Sequence, residues 1–190
     1  MIYKIKWLLT TLLVRLQVKK VGLLSYVGNP LFIFGGKRII IGNKVRIFPG
    51  GRFETHNGGS ILIKDDVSVG QNFHLISSNE QLEIGTHTTI SGNVFITNMD
   101  HNYQEIGAHI LNQEYKVKTT SIGENCFIGY GAVIQAGTVL GKQCIVGSNS
   151  VVRGVFPAYC VIIGAPARIV KRYNEISRQW QKTNSNGDFI

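Results

Sequence analysis

Between Ser121 and Val152 a bulky aliphatic returns at every sixth residue: Ile122, Ile128, Ile134, Leu140, Val146 and Val152. An amphipathic helix repeats every 3.6 residues and a half-buried strand every second one, so neither element accounts for this period. Four places after the aliphatics sit small residues, Cys126, Ala132, Thr138, Cys144 and Ser150, while Gly123, Gly129, Gly141 and Gly147 directly follow four of them. The pattern reads as a short strand, a sharp corner that glycine permits and another short strand, with the aliphatic inside and the small residue in a crowded inner position. Three such hexads close one triangular coil, and a fixed period of this kind marks a solenoid.

The same signature recurs earlier with slips of phase. Ile41 and Ile47 begin it; Ile63, Val69 and Leu75 continue it, with Val67 and Phe73 four places on; Ile84, Ile90 and Ile96 resume it, with Thr88 and Val94. Extra residues around "THNGGS" and "SSNEQ" then belong to corner loops, and the count comes to about five coils. The chain divides into an N-terminal segment 1–26, a β-helix 27–165 interrupted by a loop at 97–121, and a C-terminal segment 166–190. In the first segment Ile5, Leu8, Leu9, Leu12, Leu13 and Leu16 recur at helical spacing among Lys4, Lys6, Arg15, Lys19 and Lys20, which predicts a basic amphipathic helix. Its uncharged run from Trp7 to Val14 falls far short of the ~20 residues a bilayer span needs. Two roles stay open for it: capping the end of the solenoid, or peripheral association of residues 1–20 with an anionic membrane. "PARIVKRYNEISRQWQK" reads as a short helix.

The formal net charge of +9 over 190 residues implies an anionic partner without naming one. Three cysteines with no CxxC spacing exclude a disulfide framework and a zinc knuckle. Cys126 and Cys144 lie one coil apart and should stack at about the spacing of neighbouring strands, ~4.8 Å, as packing thiols in a reducing compartment.

The hexads, the loop "TNMDHNYQEIGAHILNQEYKVKTT" and the stretch from "CFIGYGAVIQAGTVLG" to "GAPARIVK" together resemble the hexapeptide-repeat acyltransferases, in their sugar and polysaccharide O-acetyltransferase branch. The resemblance covers residues 37–165. It implies a mainly β fold, a left-handed parallel β-helix; the hand comes from the resemblance alone, since parallel crossovers are otherwise right-handed. It further implies a homotrimer with active sites between neighbours, acetyl-CoA as co-substrate and no metal.

The same resemblance makes His101, in "NMDHNY", the general base. A sugar hydroxyl is a poor nucleophile at neutral pH, and an imidazole of pKa near ~6.5 can take its proton as it attacks the thioester. No acyl-enzyme is required. The amide of Tyr130 is the oxyanion donor and Asp100 the candidate orienter of the ring. Phe127, where many relatives carry Trp, flanks the pantetheine arm; Gly131, Ser148 and Ala165 line it; Arg168, with Arg153 and Lys171, meets the adenosine phosphates. On the acceptor side stand His74, Asn79, His109, and Asn93 of "SGNV". His56 and His87 receive no role. The expected activity is O-acetylation of a sugar or glycan in capsule, O-antigen or exopolysaccharide synthesis, in the cytoplasm and without nucleic acid. Two alternatives remain: a γ-type carbonic anhydrase, whose closely spaced His pair is missing here, and a non-catalytic β-helix module, which leaves the His loop and "GAPARIVK" unexplained.

Overall fold

The computed structural model describes residues 2–185 and 187–190, with side chains from Lys6 onward, so the expected places of Lys4 and Ile5 on the helix face lie outside the described residues. Among the described residues the chain makes six complete triangular turns and starts a seventh. The first sheet has seven strands, from Lys20–Val21 to Val155–Phe156; the second has nine, starting at Tyr26–Val27; the third has six, from Phe32–Phe34 to Val151–Val152.

Register follows the hexads. In the first sheet Ile84, Ile122 and Leu140 stand side by side; in the second, Ile90, Ile128 and Val146; in the third, Ile96, Ile134 and Val152. All nine are buried. Each contributes on the order of 1.5–3 kcal/mol by leaving water, which is why one aliphatic per side of the triangle suffices to set the register. At the corners Asn125, Gln143 and Asn149 take left-handed φ values of 56°, 51° and 56°, a conformation Asn tolerates well. Gly123 stacks so closely that a Cβ there would lie 2.5 Å from the Gly141 carbonyl oxygen. Cys126, Cys144 and Cys160 are buried free thiols at one inner corner, and Cys126 and Cys144 approach the carbonyls of Gly141 and Pro157 at 3.2 Å.

Two segments differ from the sequence expectation. The solenoid starts at Lys20 rather than residue 27, because Val21, Val27 and Ile33 are themselves a hexad and build a first turn, which raises the count from about five to six. The C-terminal segment is not a helix: Ala167–Asn174 and Gln179–Lys182 are antiparallel strands that extend the second sheet. Strand Cys160–Gly164 would otherwise end the sheet with unpaired backbone groups. Ile169 and Val170 favour extended backbone, and Asn174 closes the connecting turn by accepting from the amides of Ile176 and Ser177.

At the other end, helix α1 (Ile2–Gln17) lies across the first turn. Thr11, Val14 and Val18 are buried beneath it. Thr10 donates its hydroxyl to the Val27 carbonyl at 2.6 Å and Val27 N–H donates to Thr11 Oγ1 at 2.8 Å, so helix hydroxyls satisfy the open edge of the second sheet. Trp7 turns inward against Tyr26 and Phe48, at ring separations of 5.4 and 5.0 Å. Lys37 Nζ donates to the Leu16 carbonyl at 2.7 Å, placing a cation at the helix C-terminus. No described helix is long and apolar enough to cross a membrane.

Candidate active site

After the fourth turn the chain leaves the solenoid. Strand Met99–His101 pairs antiparallel with Tyr115–Val117, setting His101 opposite Tyr115 and Asp100 opposite Lys116. Two buried amides hold this excursion. Asn98 replaces a strand residue at its root, accepting from Ser78 N–H at 2.8 Å and donating to the Ser78 carbonyl at 3.0 Å. Gln113 braces the interior, donating to the carbonyls of Glu105 and Ala108 and accepting from the Glu105 amide. His109 Nδ1 accepts from the Leu111 amide at 3.1 Å and starts a short 3₁₀ turn, Ile110–Asn112, so its visible task is local.

His101 is exposed, its ring edge against Tyr115 at 4.8 Å, and no hydrogen bond holds either ring nitrogen among the described residues. Asp100 does not orient it. Neighbouring residues of a strand point to opposite sides, and the Asp100 carboxylate is taken by Arg153, two turns above, at 2.5 Å. Arg153, expected at the cofactor phosphates, thus stands at the His101 loop. Asp100, His101, Tyr103, Lys116, Lys118 and Arg153 surround a cavity of about 300 Å³ with three cations against one carboxylate. Beneath the loop a second cavity of about 420 Å³ contains Asn79, Tyr115 and Glu114. Tyr115 lines the second cavity and sets its ring against His101, and it was not singled out from the sequence, although the alternation in "EYKVK" hinted at its strand.

Most of the expected cofactor residues lie elsewhere. Tyr130, Gly131 and Ser148 climb the corner between the second and third sheets, Ser148 one turn above, and the exposed turn containing Ala165 follows Cys160–Gly164. Gly131, at φ 69°, donates to the Gly92 carbonyl, and Asn149 N–H donates to the Tyr130 carbonyl at 2.8 Å. The Tyr130 N–H has no acceptor among the described residues. Asn93 bonds the Tyr130 hydroxyl, so it belongs to this corner and not to the His101 loop. Phe127 is half-exposed on the adjoining strand. Arg168 and Lys171 are exposed on Ala167–Asn174, opposite Ile163 and Val161.

The third sheet separates the two groups. From Asn93 to Asn98 the chain runs five residues of extended backbone, roughly 17 Å at 3.3 Å each. A single chain therefore does not bring His101 and the Tyr130 amide together. On that sheet His74 binds Glu54 Oε1 at 2.8 Å, with His56 and Arg52 on the same carboxylate at 3.2 and 2.7 Å. Burial works to raise the Glu54 pKa, but the hydrogen bonds from Arg52, His74 and His56 outweigh it and hold the carboxyl below its ordinary range. His74, His101 and His109 do not converge, and no group of three or more His, Cys, Asp or Glu side chains among the described residues is arranged to hold a metal.

The sequence profile of the family described as "Bacterial transferase hexapeptide (six repeats)" matches residues 119–154. The candidate lipopolysaccharide biosynthesis O-acetyl transferase WbbJ of Escherichia coli (strain K12) is 33% identical over 162 residues, covering 80% of this chain and 81% of its own. The dTDP-4-amino-4,6-dideoxy-D-glucose acyltransferase of Escherichia coli is 26% identical, covering 80% and 84%. Among solved structures, AntD, an N-acyltransferase from Bacillus cereus crystallised with dTDP and 3-hydroxybutyryl-CoA, superposes with a TM-score of 0.74 at 18% identity over 88% of this chain and 90% of its own. The solenoid, its hexad register and the extent of the likeness to WbbJ agree: the chain belongs to the hexapeptide-repeat bacterial transferases.

Proposed function

We propose that the protein transfers the acetyl group of acetyl-CoA to a hydroxyl of a sugar or glycan during surface-polysaccharide assembly in the cytoplasm, and that it does so as a homotrimer. The observation that carries the chemistry is His101: a ring with no hydrogen bond among the described residues, presented beside a cavity by a loop that two buried amides hold in place. Its imidazole removes the proton of the hydroxyl as that oxygen attacks the thioester carbonyl. The oxyanion forms at the Tyr130 N–H, which has no competing acceptor among the described residues. Collapse breaks the carbon–sulfur bond and the proton passes from His101 to the departing thiolate, leaving an acetyl ester and CoA.

The gap between His101 and Tyr130 supports the trimer. The loop corner of one chain and the Tyr130 corner of the next would then complete one site, with Phe127, Gly131, Ser148, Ala165, Arg168 and Lys171 holding acetyl-CoA. Arg153 is placed instead with the acceptor, since Asp100 ties it to the His101 cavity. Lys116, Lys118 and Arg153 give that cavity a positive lining, which suits an acceptor carrying phosphate. Asn79 and His74 lie at the floor of the same corner and on the adjoining sheet. The likeness to WbbJ supports oxygen rather than nitrogen as the acceptor atom. The test is thiol release from acetyl-CoA across a panel of free, nucleotide-linked and lipid-linked sugars. Release with a hydroxyl acceptor that disappears in His101→Ala is expected; transfer only to amino sugars would overturn the O-acetyl reading.

A further inference from the structure

The charge of this protein is not spread over it. Residues 1–53 contain ten Lys and Arg and no Asp or Glu, whereas residues 54–190 contain ten Lys and Arg against eleven Asp and Glu. The entire positive excess therefore belongs to helix α1 and the first two turns, at one end of the solenoid. Lys6, Arg15, Lys19, Lys20, Lys37 and Lys44 are all exposed there.

The same end is apolar on its outer side. Leu8, Leu9, Leu12, Leu13 and Leu16 are 57–74% exposed, while Thr11, Val14 and Val18 on the opposite side of the helix are buried. At about 100° per residue the five leucines occupy an arc of roughly 140° directed away from the solenoid, with Arg15 and Lys6 at its margins. A cap needs only the inner stripe. Leu23, Leu24 and Leu31, at 72–80% exposure, extend the apolar surface onto the corners of the first turn. Leu24 also takes a left-handed φ of 57°, where the equivalent corners of later turns carry Lys44, Asp66, His87, Asn125 and Gln143. An exposed leucine in that conformation costs local strain and gains nothing from water.

We infer that the helix-bearing end is a docking surface for an anionic lipid bilayer, with α1 lying in the interface plane and the solenoid standing upright on it. Leucines bury among the acyl chains and the surrounding cations meet the headgroups, the division of labour of an interfacial helix. A second copy of the chain is a poor occupant, because end-to-end contact would set two acid-free basic surfaces against each other. With turns ~4.8 Å apart and a helix ~10 Å thick, the fourth-turn loop stands about 25 Å above the lipid surface. The enzyme would then address the outer sugars of a membrane-held acceptor. The inference is independent of the acetyl-transfer reading, because its readout is binding.

The experiment is flotation of the full-length protein with phosphatidylcholine vesicles, with and without phosphatidylglycerol. Binding to the anionic vesicles, at least ~10-fold weaker to the neutral ones and reversed by high salt, is expected. Leu12→Glu with Leu13→Glu should abolish binding while circular dichroism and soluble-substrate activity stay unchanged, because both side chains face away from the core. Lys19→Glu with Lys20→Glu should weaken binding by ~10-fold or more. Absence of wild-type flotation at low salt, or undiminished flotation of the leucine variant, overturns the inference. So does wild-type association into larger assemblies that the leucine variant loses without any vesicle binding.

Discussion

At the corner between the second and third sheets the chain turns tightly in every coil, and at the corner between the third and first it departs after the fourth turn for residues 98–120. The tight corner stacks Asn93, Tyr130 and Ser148 on a fixed backbone frame and leaves backbone N–H groups, those of Tyr130 and Ser148, without an acceptor among the described residues. The loop corner presents an exposed imidazole, cations and cavities, held by one antiparallel strand pair and two buried side-chain amides. Regular stacking delivers backbone donors accurately, while an excursion delivers side chains the repeat cannot project. Neither corner alone is chemically complete.

The sharpest break in that comparison is His101→Ala. Turnover should fall by ~10²–10⁴, with acetyl-CoA affinity by calorimetry unchanged, because the ring lies at the loop corner. His109→Ala should cost far less, its role being to start a local turn; equal losses at the two positions would point to loop collapse instead. At the tight corner Ser148→Trp places a bulky ring where the pantetheine arm is expected. It should raise the KM for acetyl-CoA by about 10-fold or more and leave the acceptor KM alone.

Smaller effects separate scaffold from chemistry. Asn98→Ala strands the buried N–H of Ser78, whose carbonyl keeps the Glu80 amide at 2.6 Å, so denaturant unfolding should show a loss of about 1–3 kcal/mol. The smallest effect concerns Glu54. Its carboxyl titrates below the ordinary range in the folded chain, so its contribution is present above the unfolded value, about 4.3, and is lost as pH falls through the folded one. Urea midpoints measured at neutral and acid pH should therefore show a shallower acid loss in Glu54→Gln than in the wild type. An identical slope would mean that the cluster on the third sheet carries no linked stability.

The solenoid was legible because its signal is carried by buried residues at a fixed period: Ile122, Ile128 and Ile134 declare three sheets in thirteen residues. The first turn carried the same period in Val21, Val27 and Ile33 but lay beside a stronger helical pattern. The C-terminal hairpin was missed for a different reason. Its extended form answers the need of strand Cys160–Gly164 for a partner, which is a tertiary demand rather than a local preference. In the loop, Asn98 and Gln113 look like solvated polar residues in sequence, and only burial reveals them as braces. Asp100 and Arg153 are far apart along the chain and meet because two turns of the solenoid superpose them.

The central claim is that a working site takes its base from one chain and its acyl-donor pocket from another. Mixing His101→Ala and Ser148→Trp chains, unfolding them together, reassembling them and assaying at acetyl-CoA well below the wild-type KM, where each parent alone works at no more than about a tenth of the wild-type rate, tests it directly. If the site lies between chains of a trimer, random reassembly regenerates about a quarter of the wild-type sites, and acetyl transfer should return to roughly that level. If base and donor pocket belong to one chain, no intact site can form, and the mixture will stay as inactive as its parents.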